Sequence, residues 1–153
     1  MDKLTLAIEF AAKAHNGMVR KKDKTPYILH PLEAATIVGT MTSDQDIISA
    51  AVLHDVVEDT EITIDEIEEI FGNRVRKLVE SETEDKRADL PPEDTWKIRK
   101  EESLKVLKNA ENVDVLMLWL GDKLANMRSF YRLWKVEGER MWQSFNQKDP
   151  EQQ

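Results

Sequence analysis

Apolar residues recur along this chain at intervals of three and four, and very little interrupts them. Only five glycines and five prolines occur among the 153 residues, and the segments between them have the periodicity of helices. The alternation of period two that would indicate strands is almost absent. This length is typical of one domain. We therefore predict an all-α fold in which residues 1–153 form a single helical bundle.

The first two helices are separated by a basic loop. One helix is expected over residues 2–16, ending at Gly17, where a left-handed residue is favoured. The polar, basic segment 16–29 is expected to be a loop. A second helix is expected to begin at His30, since proline follows there in the first helical position, and to end near Gly39.

Capping patterns mark the next two helices. Ser43 is a candidate N-cap for a third helix, which is expected to continue through the charged run 54–59. Thr63 and Glu66 have the spacing of a capping box for a short helix that ends at Gly72.

The second half of the sequence contains the most apolar segment. Asn73 is a candidate cap for another helix, residues 80–95 are expected to be a loop, and 96–107 has the pattern of a basic amphipathic helix. The nearly continuous apolar run 113–120 predicts a helix at the centre of the core. A separate C-terminal helix is expected over about 130–147.

Composition excludes several classes of protein. There is no cysteine, so any metal must be held by His, Asp or Glu. A net charge of −8 argues against DNA or RNA as a partner, because nucleic-acid affinity depends largely on neutralising phosphates. No apolar run is long enough to span a bilayer, and the N-terminus does not resemble a signal peptide. We expect a cytoplasmic protein that does not bind membranes.

The run His54-Asp55-Val56-Val57-Glu58-Asp59 concentrates one imidazole and three carboxylates directly after an apolar segment. On a continuous helix His54 and Glu58 would share one face, and Asp55 and Asp59 the adjacent face. If His54 and Asp55 bind a divalent metal, Glu58 and Asp59 lie near enough to exchange protons with water at that metal.

Two further ligands are needed, and the candidates are His30 at a helix start and Asp122 inside the most apolar helix. A shell of two histidines and two aspartates suits Mn²⁺, Fe²⁺ or Zn²⁺. Each residue also has a purely structural interpretation. His54 could be a core histidine, His30 a helix cap, and Asp122 a buried partner of Lys123 or Arg128. Glu58 and Asp59 could belong to a solvated acidic run.

The order of the motifs resembles the HD-domain metal-dependent phosphohydrolases, and more narrowly the alarmone hydrolase domain of the RelA/SpoT family. The similarity extends over about residues 4–132. Its segments are Ala14–Lys21, Thr25–Pro31, Ala50–Thr60, Phe71–Val75, Thr83–Lys86, Arg99–Lys100 and Gly121–Arg128. Because no room is left for a synthetase or regulatory domain, the chain resembles the small, stand-alone alarmone hydrolases.

The resemblance implies an HD fold holding one Mn²⁺, with Fe²⁺ or Zn²⁺ as alternatives, and hydrolysis of the 3′-pyrophosphate of ppGpp or pppGpp to GDP or GTP. The metal ligands that it implies are His30, His54, Asp55 and Asp122. The residues implied to position and deprotonate the attacking water are Glu58 and Asp59. The implied contacts to the nucleotide are Arg20 near the base, Lys21 at a phosphate, and Asn126 at the ribose or a phosphate.

Three departures from the family pattern bear on substrate preference. Met18 replaces the usual Gln, the segment between Lys86 and Arg99 is longer than usual, and the polar ending after Phe145 comes early. Two alternatives therefore stay open. One is an HD phosphohydrolase acting on another 3′-phosphorylated nucleotide, such as pppApp or NADPH. The other is a nucleotide-binding sensor without turnover, which the intact pair Glu58 and Asp59 disfavours.

Overall fold

The computed structural model describes residues 1–153 and is built almost entirely of α-helices. The helices are α1 (Lys3–Ala14), α2 (Leu29–Gly39), α3 (Gln45–Leu53), α4 (Val56–Asp59), α5 (Ile64–Phe71), α6 (Asn73–Glu82), α7 (Pro92–Lys108) and α8 (Val113–Glu137), followed by a 3₁₀ helix, Gly138–Ser144. The only extended pairing is an isolated antiparallel bridge between Val19 and Pro26. The predicted all-α fold is confirmed.

Helix α3 lies at the centre of the bundle. Six of its nine residues are buried, from Ile47 to Leu53, and it packs against α1, α2, α6 and α8. Small alanines at positions 50 and 51 allow these neighbours to approach closely. The residues that directly follow α3 are therefore delivered into the interior rather than to solvent.

Helices α2 and α8 make a close contact through Gly121. A Cβ atom at this position would lie 2.5 Å from Cγ2 of Val38 and 3.0 Å from the carbonyl oxygen of Ala34. Only glycine fits this contact without displacement. Since Asp122 is the next residue, the same contact fixes the depth at which its side chain enters the core.

The helix caps predicted from the sequence are partly correct. Thr63 and Glu66 form the predicted capping box of α5. The N-cap of α3 is Asp44 rather than Ser43, with its carboxylate accepting from the N–H of Asp46 at 2.9 Å. Asn73 does not cap α6, since Gly72 is the N-cap and the Asn73 side chain donates to Glu68 instead.

Helix boundaries differ most in the second half of the chain. The expected loop over 80–95 is shorter, because α6 continues to Glu82 and α7 already begins at Pro92. The separate C-terminal helix over about 130–147 is wrong. Residues up to Glu137 continue α8. The helix is capped by Gly138, whose φ is 60°, and a 3₁₀ helix begins there. No helix is both long and apolar enough to cross a membrane.

Candidate functional site

Two histidines and two aspartates meet in the interior of the bundle. His30 comes from the first turn of α2, His54 and Asp55 from the junction of α3 and α4, and Asp122 from the middle of α8. Nε2 of His30 lies 3.1 Å from Oδ1 of Asp122 and 3.5 Å from Oδ2 of Asp55. Nε2 of His54 lies 3.1 Å from Oδ2 of Asp55 and 3.4 Å from Oδ1 of Asp122.

The third helix of the sequence prediction is interrupted at this point. Helix α3 ends at Leu53, His54 and Asp55 form a turn, and α4 begins at Val56. The expectation that one continuous helix carries residues 54–59 is therefore wrong. Because the turn lies between the helices, His54 and Asp55 both face the same centre, which adjacent residues of a regular helix do not do.

Hydrogen bonds to His54 and Asp122 orient their potential metal-binding atoms toward this centre. Nδ1 of His54 lies 2.7 Å from the carbonyl oxygen of Ala51, which accepts from the ring N–H and leaves Nε2 as the basic nitrogen. Nε2 is buried and has no hydrogen-bond partner in the protein. Asp122 accepts at Oδ1 from the Asn126 amide, at 2.9 Å, and at Oδ2 from Lys123, at 2.8 Å.

The charges around the centre fit a cation. Burial would lower the pKa of the His54 imidazole, but Asp55 and Asp122 together raise it well above its ordinary value. Burial would raise the pKa of the Asp55 carboxyl, but His54 and His30 hold it below its usual range. Ligand atoms of His30, His54 and Asp122 all lie within 4.8 Å of one another. Two imidazole nitrogens with carboxylate oxygens at this spacing could hold one divalent metal ion.

Glu58 and Asp59 lie on α4, one turn beyond His54 and Asp55. Both line a cavity of about 370 Å³ beside the centre. Burial, together with the charge of Asp55, raises the pKa of Glu58 to about 7, although Lys86 opposes the shift. A carboxyl group with this pKa can accept a proton at neutral pH. Asp59 forms an ion pair with Lys86.

Basic side chains of the α1–α2 loop form one wall of this cavity. Backbone hydrogen bonds from Arg20 to Thr25 and from Tyr27 to Met18, at 2.8 and 2.9 Å, close the loop. Arg20 then reaches Oδ1 of Asn126 on α8, at 3.3 Å. Lys21 also lines the cavity. The structure thus brings together all nine of the residues predicted from the sequence.

Some residues of the cavity were not assigned a role from the sequence. The Tyr27 hydroxyl lies 2.7 Å from Oδ2 of both Asp55 and Asp59. The Glu84 carboxylate accepts hydrogen bonds from Arg99, Lys100 and Ser103 of α7. Tyr27 and Glu84 stand within the segments that carry the family resemblance, so their position in those motifs was the available signal.

Glu82 had no such signal, because an acidic residue at the end of a charged helix is usually solvated. It is buried instead, and its Oε1 has no hydrogen-bond partner. Burial raises the pKa of the Glu82 carboxyl to about 8, and the negative charge of Asp122 adds to the shift.

The chain is similar to known proteins over most of its length. A family model described as "HD domain" matches residues 7–147. A guanosine-3′,5′-bis(diphosphate) 3′-pyrophosphohydrolase of Aquifex aeolicus is 38% identical over 130 residues, which are 85% of this chain and 18% of that protein. The GTP pyrophosphokinase rsh of Brucella ovis is 39% identical over 126 residues, 82% of this chain and 16% of the relative. The chain thus spans less than a fifth of the length of these curated relatives.

Solved structures share both the fold and the sequence pattern. A metazoan ortholog of SpoT, described as hydrolysing ppGpp, superposes with a TM-score of 0.70 at 32% identity, covering 84% of this chain and 70% of that one. The protein lmo0812 of Listeria monocytogenes EGD-e superposes with a TM-score of 0.69 at 33% identity, covering 80% of this chain and 75% of that one. The chain therefore belongs to the HD-domain family, as the resemblance to the RelA/SpoT hydrolase domain predicted.

Proposed function

We propose that residues 1–153 act as one hydrolase unit that cleaves the 3′-pyrophosphate of ppGpp or pppGpp, giving GDP or GTP and pyrophosphate, with one Mn²⁺ as cofactor. The observation that carries this proposal is the convergence of His30, His54, Asp55 and Asp122 beside a cavity that Glu58 also lines. The named activity of the Aquifex relative and of the metazoan SpoT ortholog supports the choice of substrate.

The donor set would hold the metal. Two imidazole nitrogens and two carboxylates suit Mn²⁺, and Fe²⁺ or Zn²⁺ are chemically acceptable alternatives. A divalent ion here supplies positive charge that polarises a phosphoryl group and acidifies water. The Asn126 amide and the Lys123 ammonium hold Asp122 in place, and the Ala51 carbonyl does the same for His54.

The carboxylates of α4 would handle the proton of the attacking water. Glu58 is the better base, because its raised pKa lies near the working pH. As the water oxygen bonds to the phosphorus nearest the ribose, its proton passes to Glu58 and the bond from that phosphorus to the ribose 3′-oxygen breaks. The 3′-oxygen leaves and takes up a proton, so GDP and pyrophosphate are the products. Asp59, held by Tyr27 and Lys86, orients the water.

Basic and amide groups would bind the substrate. The nucleotide carries several negative charges and would be repelled by the carboxylates of the site without compensation. Arg20 and Lys21 on the α1–α2 loop supply that compensation, with Arg20 near the base and Lys21 at a phosphate. Asn126 accepts a hydrogen bond from Arg20 and would contact the ribose or a phosphate.

Turnover of ppGpp by the purified chain tests this function. With Mn²⁺ present, we expect GDP and pyrophosphate in equal amounts by chromatography, and no product after a chelator is added. The Glu58→Gln variant is the matched control for contaminating phosphatases. If wild-type protein loaded with Mn²⁺ leaves ppGpp intact but hydrolyses pppApp or NADPH, the substrate assignment is wrong. If it binds ppGpp by calorimetry without any turnover, the protein is a sensor.

A further inference from the structure

A second group of basic side chains, contributed by α7 and α8 rather than by the α1–α2 loop, lines the cavity of the candidate metal centre. Lys100 on α7 and Lys123 on α8 both line the cavity of about 370 Å³ beside the centre. Both also line an adjoining cavity of about 460 Å³ between α7 and α8. Trp119, Ser103 and Asn126 line both cavities as well. These residues therefore stand at the junction of the two cavities.

One residue of this junction carries an unsatisfied hydrogen-bond donor. Trp119 is only 7% exposed, and its indole Nε1–H has no hydrogen-bond partner in the protein. A buried N–H without an acceptor costs free energy, and such groups are nearly always paired with protein or ordered water, so an incoming oxygen acceptor would gain a bond here. The Lys123 ammonium lies 4.5 Å from the centre of the Trp119 ring system, which holds the cation and the N–H on the same part of the wall.

Each of the two lysines has an acidic partner that also serves other groups. The Glu84 carboxylate accepts from Lys100 at 2.8 Å and also from the Arg99 guanidinium at 3.2 Å, so one negative charge serves two cations. Lys123 pairs at 2.8 Å with Asp122, whose other oxygen faces His30 and His54. The side chains of Lys100 and Lys123 remain partly exposed, at 39% and 46%.

Helix α7 is positioned by this same cluster. Of its seventeen residues only Thr95 is buried, and the bonds from Arg99, Lys100 and Ser103 to Glu84 fasten it beside the site. The backbone N–H of Glu84 in turn lies 3.4 Å from Oε2 of Glu58. Lys100 is thus held at a fixed place relative to the proton acceptor, as a specificity-determining group requires.

We propose that Lys100, Lys123 and the Trp119 indole N–H form a second anion-binding subsite, which receives the phosphate groups at the non-reacting end of the substrate. This inference rests on the proposed function, and it defines the substrate class more closely. The site takes a nucleotide phosphorylated at two separate positions, one bound at the metal centre and the other at this wall. Ammonium groups and an N–H are suitable donors to phosphate oxygens.

Two substrates that differ only at the non-reacting end test the subsite. They are ppGpp and guanosine 3′-diphosphate, which lacks the 5′-phosphates. In the Lys100→Gln variant the KM for ppGpp should rise about tenfold while the KM for guanosine 3′-diphosphate and both kcat values change less than twofold. Lys97→Gln, an exposed lysine on the same helix and outside both cavities, is the matched control and should change neither KM. Trp119→Phe keeps the ring under Lys123 and should raise only the KM for ppGpp.

Equal effects of Lys100→Gln on the two substrates, or none on either, would overturn the subsite. Recovery of the ppGpp KM in Lys100→Arg would support it and show that the fold is intact. If wild-type protein hydrolyses neither compound, the proposed function fails, and the subsite is tested by calorimetric titration with inorganic pyrophosphate in the presence of a chelator. Weaker binding in Lys100→Gln than in Lys97→Gln then supports the subsite, and equal binding contradicts it.

Discussion

The hydroxyl of Tyr27 lies 2.7 Å from Oδ2 of Asp55 and is equally close to Oδ2 of Asp59. A tyrosine hydroxyl has one proton and donates it to one carboxylate at a time. Tyr27 therefore links Asp55, a carboxylate of the candidate metal centre, to Asp59, the carboxylate proposed to orient the attacking water. The Tyr27 ring is fixed by His15, with ring centroids 4.9 Å apart, and by His30, at 6.1 Å.

Removing this hydroxyl should affect turnover more than metal binding. In Tyr27→Phe the ring contacts with His15 and His30 remain, while Asp55 and Asp59 lose a shared donor. We expect kcat to fall on the order of tenfold, with metal content and thermal unfolding close to wild type. Steady-state kinetics and elemental analysis of the same preparation check this. Loss of the metal would show instead that the hydroxyl is needed to hold Asp55.

Different substitutions should affect metal binding and proton transfer separately. Asp122→Ala removes a proposed metal ligand and should abolish both metal binding and turnover. Glu58→Gln keeps the size of the side chain but cannot accept the proton, so the metal should stay and kcat should fall by on the order of 10² or more. Fully active Glu58→Gln would mean that another group is the base.

The pH dependence of kcat should report Glu58. Burial and Asp55 raise its pKa to about 7, and a base works only when deprotonated, so kcat should decline as the pH falls below about 7. The nearby Lys86 cation lowers this pKa. In Lys86→Met the decline should therefore begin at a higher pH. If the dependence of kcat on pH were the same in Lys86→Met as in wild type, Glu58 would not be the proton acceptor.

The contact at Gly121 should be intolerant of a methyl group. In Gly121→Ala the new Cβ would meet Val38 and the Ala34 backbone, and such overpacking costs about 1–3 kcal/mol, against about 1 kcal/mol gained by alanine in a helix. We expect a lower Tm and weaker metal affinity, since Asp122 is displaced with α8. Gly39→Ala is the control, because no atom lies within 4 Å of its Cβ position. Equal Tm and metal affinity in the two variants would contradict this account of the contact.

The sequence predicted the helical class and the convergence at the centre because periodicity and rare residue types are local signals. An imidazole followed by a carboxylate after an apolar run, and an aspartate inside an apolar helix, are each unusual enough to be noticed singly. Asp122 shows that the structural and functional interpretations were not exclusive, since it pairs with Lys123 and also faces both histidines.

The features that could not be predicted from the sequence depend on tertiary packing. The break at His54 and Asp55 has no glycine or proline to announce it, and both residues keep helical backbone angles. The burial of Glu82 and the junction of Lys100, Trp119 and Lys123 depend on how α6, α7 and α8 meet. Such contacts join residues far apart in the chain, so no local pattern records them.

The most direct test of the account is an anomalous difference map from crystals of the wild-type chain grown with Mn²⁺. We predict one strong peak in the bundle interior, within bonding distance of His30, His54, Asp55 and Asp122, and its loss in Asp122→Ala crystals. No peak at these residues, or a peak bound elsewhere in the chain, would contradict the assignment of this cluster as the metal centre.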